Sequence, residues 1–212
     1  MWPSIDLRLQ ATTTSFVEFP KKNPDVPRRT IIFLLICIFE MISTLPILCG
    51  DFIANKFETS IWPQMSRLFR YFLVNIEQLA RYPLSNIEEE LILSMLGCLH
   101  QFFASKTCGT RLSTTSMRVV ATILFSFLPR SDKIGDASLD VLKVIHCIDS
   151  DCVWRQVLEY GGFGVPFCPL SSLKAVNTTS TGKQTYGDQD PLLAKRCCDL
   201  VSYASNLPEQ RL

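Results

Sequence analysis

Apolar residues in this chain recur at spacings of three and four, segment after segment, with proline or glycine between the segments. That spacing gathers side chains on one face of an α-helix, whose repeat is 3.6 residues. Alternation with period two, the mark of a half-buried strand, is missing over any useful length, and the hairpin dipeptides Asn-Gly and Asp-Gly do not occur. The predicted fold class is all-α. Hydrophobic residues make up 47% of the 212 and charged residues 19%, so the chain can build a core and does not have the composition of disorder. A length of this order holds one domain, or one and a half.

The first helical pattern covers 31–49 (IIFLLICIFEMISTLPILC) and should end where Pro46 and Gly50 break helices. Asp51 has the chemistry to cap a second helix, on which Phe57, Ile61, Met65, Leu68 and Phe72 share a face. Pro63 removes one backbone donor from that run, so a kink or split is expected there. Ser85 and Glu88 form an S-x-x-E capping box ahead of a wide stripe of Leu91, Ile92, Met95, Leu96, Leu99, Phe102 and Phe103. A polar turn at 107–111 leads to a helix over 117–128, which Pro129 stops. A loop over 130–135 then leads to Asp136 and a helix carrying Leu139, Leu142, Val144, Ile145 and Ile148. Ser150 or Asp151 caps the next, with Val153, Trp154, Val157 and Leu158. Asp190-Pro191 starts the last helix, with Leu193, Cys197, Leu200, Val201 and Ala204 on one face. Residues 8–29, Thr-rich and then interrupted by Pro20, Pro24 and Pro27, read as loop.

The organisation predicted is an irregular segment over 1–29, helical repeats over 30–160, a flexible Gly/Ser/Thr-rich loop over 161–187 and a terminal helix over 188–212. Consecutive helices joined by short turns suggest antiparallel pairs stacked as an α-solenoid, and a compact bundle fits the same pattern. Trp62 and Trp154 both fall on apolar faces, which favours core positions over interface anchors.

Charge and cysteine usage exclude several classes of function. Lys and Arg number 21 against 20 Asp and Glu, so no basic nucleic-acid-binding surface spreads over the chain. The nine cysteines form no C-x-x-C pair and no second pair answers Cys147 and Cys152, so neither a zinc site nor another metal centre is expected. Reduced thiols at apolar helix positions indicate cytosol or nucleus. Cys98 and His100 do not share a helix face, and His146-Cys147 has no oxyanion turn beside it, so no enzyme is expected. Gly161-Gly162-Phe163-Gly164 lacks the Lys-Ser/Thr of a phosphate loop, and no cofactor is expected.

The 31–49 stretch stays open to two readings. Its mean hydropathy reaches 2.5 behind Lys21, Lys22, Arg28 and Arg29, which suits a single-pass membrane anchor. Glu40 near its middle costs about 2–3 kcal/mol on insertion, and Pro46 also opposes a span. A helix enclosed on all sides within a helical stack would have the same composition.

From Cys49-Gly50-Asp51-Phe52 the run CGDFIANKF, followed by Ile61-Trp62-Pro63-Gln64-Met65, resembles the C-terminal HEAT-repeat region of the Tel-two-interacting protein one family. Trp2-Pro3-Ser4-Ile5 resembles a W-P-S-L element of a preceding repeat. Ile148-Asp149-Ser150-Asp151 with Trp154 resembles a D-x-D-x-x-W stretch that opens a late helix. The similarity covers roughly 31–159, and 9–29 have no counterpart. It implies a HEAT-like scaffold, the C-terminal part of a subunit of the Triple T (TTT) co-chaperone complex. The partners it implies are the other Triple T subunits, Hsp90-associated co-chaperones, and the phosphatidylinositol-3-kinase-related kinases (PIKK) that need the complex for maturation and stability. It carries over no catalytic, cofactor or metal residue, and it implies structural roles for Gly50, Asp51, Phe52, Trp62, Pro63, Asp149, Asp151 and Trp154. Repeats in such a stack touch only their neighbours, so an apolar end is expected, with marginal stability or self-association of the chain alone.

Overall fold

The structure, a computed structural model, describes residues 2–18, 27–79, 84–130, 132–160 and 191–206. Among them all regular structure is helical: α1 (Trp2–Val17), α2 (Arg28–Lys56), a π turn (Phe57–Ile61), α3 (Trp62–Leu79), α4 (Asn86–Ala104), α5 (Lys106–Gly109), α6 (Thr114–Phe127), α7 (Asp132–Ile148), α8 (Ser150–Tyr160) and α9 (Pro191–Ser205).

α2 is not a single rod. Pro46 has no amide to give, and Cys49, at φ −147° and ψ 50°, leaves the helical region. The Arg28 guanidinium donates to the Tyr71 hydroxyl at 3.0 Å although 43 residues separate them. That many residues of straight helix would span about 65 Å, so the chain doubles back. The corner lies midway, at Cys49 and Gly50, where the apolar pattern predicted a break. Phe16 of α1 touches both legs, with its ring 4.5 Å from the Arg28 guanidinium and 5.0 Å from the Tyr71 ring. Asp51 lies two residues past the non-helical Cys49, inside the first turn of the return leg and not at the cap position expected for it.

The return leg does not split at Pro63. The π turn directly ahead accommodates the ring, the Trp62 amide donating to the Phe57 carbonyl five residues back. Phe57, Ile61, Met65, Leu68 and Phe72 all remain buried on one side of it.

Helices alternate between two rows. One row holds the outgoing leg of α2, then α4, α7 and α9; the other holds α1, the return leg with α3, α6 and α8. Neighbours within a row run parallel. Arg28 meets Glu88 at 3.1 Å, and further along Ser94 reaches the Ile36 carbonyl at 3.4 Å. Asp136 meets Arg196, and later on the same helices Cys147 meets Tyr203. In the other row Ser60 bonds Asp6 and Arg67 bonds Thr14. This is the all-α, solenoid-like stacking that the periodicity predicted. Every residue named for the α4 stripe is buried.

Three local readings need correction. Residues 8–17 are helical and not loop: Leu9, Thr13 and Phe16 are buried at spacings of four and three, and that burial outweighs the weak helix propensity of the threonines. The polar turn near 107 contains the short helix α5, with Cys108 and Gly109 buried. α7 begins at Asp132, so Asp136 lies inside it. The predicted loop over 161–187 and the Asp190 cap lie outside the described residues.

Two expected outcomes follow from the packing. Trp62 is 8% exposed and its ring stacks on Phe57 at 6.1 Å. Trp62→Ala should cost about 3–5 kcal/mol, read as a lowered denaturant midpoint. Glu88 accepts from the Ser85 amide at 3.1 Å, the Ser85 hydroxyl at 2.7 Å and Arg28. Burial pushes its carboxyl up, but these hydrogen bonds outweigh burial and hold it below its ordinary 4.5. A carboxylate depressed in the folded state stabilises fully above its unfolded pKa, and that contribution is lost as pH falls through the folded value. Glu88→Gln should therefore lower the melting temperature at neutral pH and flatten its fall below about pH 4.5.

Candidate partner-binding surface

Gly50 and Ile148, from two of the family-like segments, both lie against α5. A β-carbon on Gly50 would stand 3.1 Å from Thr107, so bare backbone lets α5 close on the α2 corner. The Cys108 thiol donates to the Gly50 carbonyl at 3.3 Å, and Arg111 pairs with Asp51 at 3.0 Å. Phe52 is half exposed, edge-on to Trp2 at 6.2 Å and 5.8 Å beneath the Lys56 ammonium. Trp62 is in the core, and Pro63 faces outward.

At the other segment Asp149, and neither Ser150 nor Asp151, caps α8 by accepting from the Cys152 amide at 3.1 Å. Asp151 is exposed, and Trp154 is partly buried, edge-on to His146 at 5.8 Å. Gly109 of α5 is wedged between the Phe103 carbonyl and the Ile148 side chain, where a β-carbon would come within 2.7 and 3.0 Å. Together with Thr110, Asp149 and Asp151 it borders a shallow hollow of about 550 Å³. Segments far apart in sequence are thus seated on the same four-residue helix.

Arg196 on α9 is a buried cation that the sequence reading passed over. Its side chain is 4% exposed, while Asp136 is 68% exposed. Nε and Nη2 donate to one Asp136 oxygen at 3.2 and 3.1 Å, and Nη1 donates to the Leu128 carbonyl. Leu128 follows the last residue of α6, where carbonyls lack partners within their own helix. Gly135 makes the room, since a β-carbon there would fall 2.2 Å from the guanidinium carbon. One side chain thus ties the end of α6 and the first turns of α7 to α9. The signal was readable: Arg196 lies three residues after Leu193 and four before Leu200, on the apolar face.

Among the described residues the buried thiols, Cys147 and His146 are not arranged for nucleophilic chemistry. Cys98, Cys152 and Cys197 are buried, and burial pushes their thiols up, Cys152 to about 11 and Cys197 to about 12. A nucleophilic cysteine needs the opposite shift. The exposed Cys147 thiol lies 3.4 Å from the Tyr203 hydroxyl and not against His146. Burial lowers the His146 pKa, and neither of its ring nitrogens has a hydrogen-bond partner. Among the described residues no group of three or more His, Cys, Asp or Glu could hold a metal.

The surface with binding character is the outward face of α2. Ile31, Ile32, Leu35, Ile36, Phe39 and Ile42 are buried, but only 39% of the most apolar window is. The expectation of a helix enclosed on all sides is thus corrected to one enclosed on a single side. Phe33, Leu34, Met41, Ile47 and Leu48 are exposed, the last two at 78% and 75%, with exposed Glu40 among them. They recur as adjacent pairs every seven residues, which puts them on one face, and apolar patches of this kind mark contact surfaces. Compared with known protein families, curated proteins and solved structures, the chain has no match.

The Arg196 seat makes a prediction of sign. Helix propensity alone would have Gly135→Ala stabilise α7 by about 1 kcal/mol. Displacement of Arg196 should instead make it destabilising by about 1–3 kcal/mol, because a buried charge loses hydrogen bonds. With Arg196→Ala already in place the same substitution should turn neutral or stabilising. A thermal-melting double-mutant cycle reads the reversal.

Proposed function

We propose that this chain is a non-enzymatic scaffold: the C-terminal part of a Triple T complex subunit of the Tel-two-interacting protein one family. In that role it supports the maturation and stability of phosphatidylinositol-3-kinase-related kinases together with the Hsp90 machinery, in cytoplasm and nucleus. The observation that carries the reading is the two-row helical stack with an apolar outward face on α2. Stacks of this kind bind proteins along extended surfaces. Further support comes from CGDFIANKF, packed on α5, from the D-x-D-x-x-W stretch bordering the same hollow as Gly109 of α5, and from thiols held protonated by burial.

A second reading is a single-pass membrane protein anchored by 31–49. Length and hydropathy favour it, since α2 is long and apolar enough to cross a bilayer. Against it stand the exposed Glu40 and the packing of the opposite face on α4 and α1.

Affinity purification of the tagged chain from detergent-free lysate separates the two. Co-purification of the other Triple T subunits or a related kinase is expected. Recovery of the chain only in the membrane pellet would retire the scaffold reading.

A further inference from the structure

We infer that the outward face of α2 seats an amphipathic helix of a partner protein, one that sets a lysine or arginine against Glu40 between apolar residues. This rests on the scaffold reading and adds the chemistry of the partner. Leu34, Met41 and Leu48 fall seven residues apart, and so do Phe33, Glu40 and Ile47. Side chains at that spacing line up along the helix axis as two ridges, and Cys37 and Thr44 form the groove between them. A second helix laid along α2 can fill that groove.

The row itself points to a helix as occupant. α4 is covered by α2 and α7, and α7 by α4 and α9, whereas α2 has a row neighbour on one side only among the described residues. An added helix on the outward face continues a packing mode that the protein already uses repeatedly.

Glu40 selects the kind of helix. A carboxylate covered by apolar surface is costly unless a cation pairs with it. A second copy of this chain, docked antiparallel about a two-fold axis, would pair Leu34 with Leu48 but set Glu40 beside Glu40. Like charges facing each other across an interface are penalised, so the symmetric pair is the poorer fit. A bilayer offers Glu40 no counter-ion at depth.

The probe is a labelled helical peptide of about three heptads, with leucine at the apolar positions and a single central lysine. Its twin carries a central glutamate. Fluorescence anisotropy with the whole chain should show the lysine peptide binding about tenfold tighter or more. The preference should reverse with Glu40→Lys, a surface exchange. Leu34→Asp with Leu48→Asp should abolish binding of both peptides while far-UV circular dichroism stays unchanged. Equal binding of the two peptides, or binding that survives the double substitution, would overturn the inference. So would dimerisation in sedimentation equilibrium that the double substitution removes, which assigns the face to a second copy. Co-sedimentation with phosphatidylcholine vesicles carrying about one-third phosphatidylserine, lost on the same substitutions, would assign it to a membrane. The scaffold reading is judged separately: capture of Triple T subunits without peptide discrimination sinks this inference alone, and failure to capture them sinks the scaffold whatever the peptides do.

Discussion

Glu88 receives hydrogen bonds from the Ser85 amide, the Ser85 hydroxyl and the Arg28 guanidinium, and so fixes two things with one carboxylate. The serine contacts set where α4 begins; the arginine contact sets how α4 lies against α2. From that register α4 buries eight side chains between two neighbours, α2 on one side and α7 on the other. A helix used on two sides gains burial that a peripheral helix cannot, and the elements beyond it inherit its placement. Arg28 also reaches Tyr71 and lies over the Phe16 ring, so the same guanidinium closes the α2 hairpin and secures α1.

Local signals were the legible ones. The capping box, the α4 stripe, the break at 46–50 and the shared face of Phe57 to Phe72 each depend on residues a few positions apart, and each is present. What escaped the sequence depends on partners supplied from elsewhere. The threonines of α1 have little helix propensity of their own, and the helix is held by burial of Leu9 and Phe16 against the return leg. The place of Arg196 on the apolar face of α9 is legible, but its partners are not: Leu128 brings a carbonyl that lacks a partner in its helix, and Gly135 brings space.

The outward face of α2 shows a different kind of limit. A hydropathy window averages around the helix and returns one high number for 31–49, whether the apolar groups surround it or lie on opposite sides. Separating the residues by face resolves the number into a buried half and an open half, with Glu40 on the open one. The polar residue that weakens the membrane reading is thus the residue that gives the open face its chemical selectivity.

The joint between α5 and the α2 corner has a consequence for the shape of the stack. In a row of helix pairs, curvature accumulates from the small rotation at each joint. Here the joint closes at Gly50, where Thr107 comes within 3.1 Å of the place a β-carbon would occupy. A single methyl group at that point would wedge the corner outward by a few tenths of an ångström. Every pair beyond it would carry the added tilt, so the bare backbone at Gly50 keeps α5 seated against the corner and the later pairs in line with it.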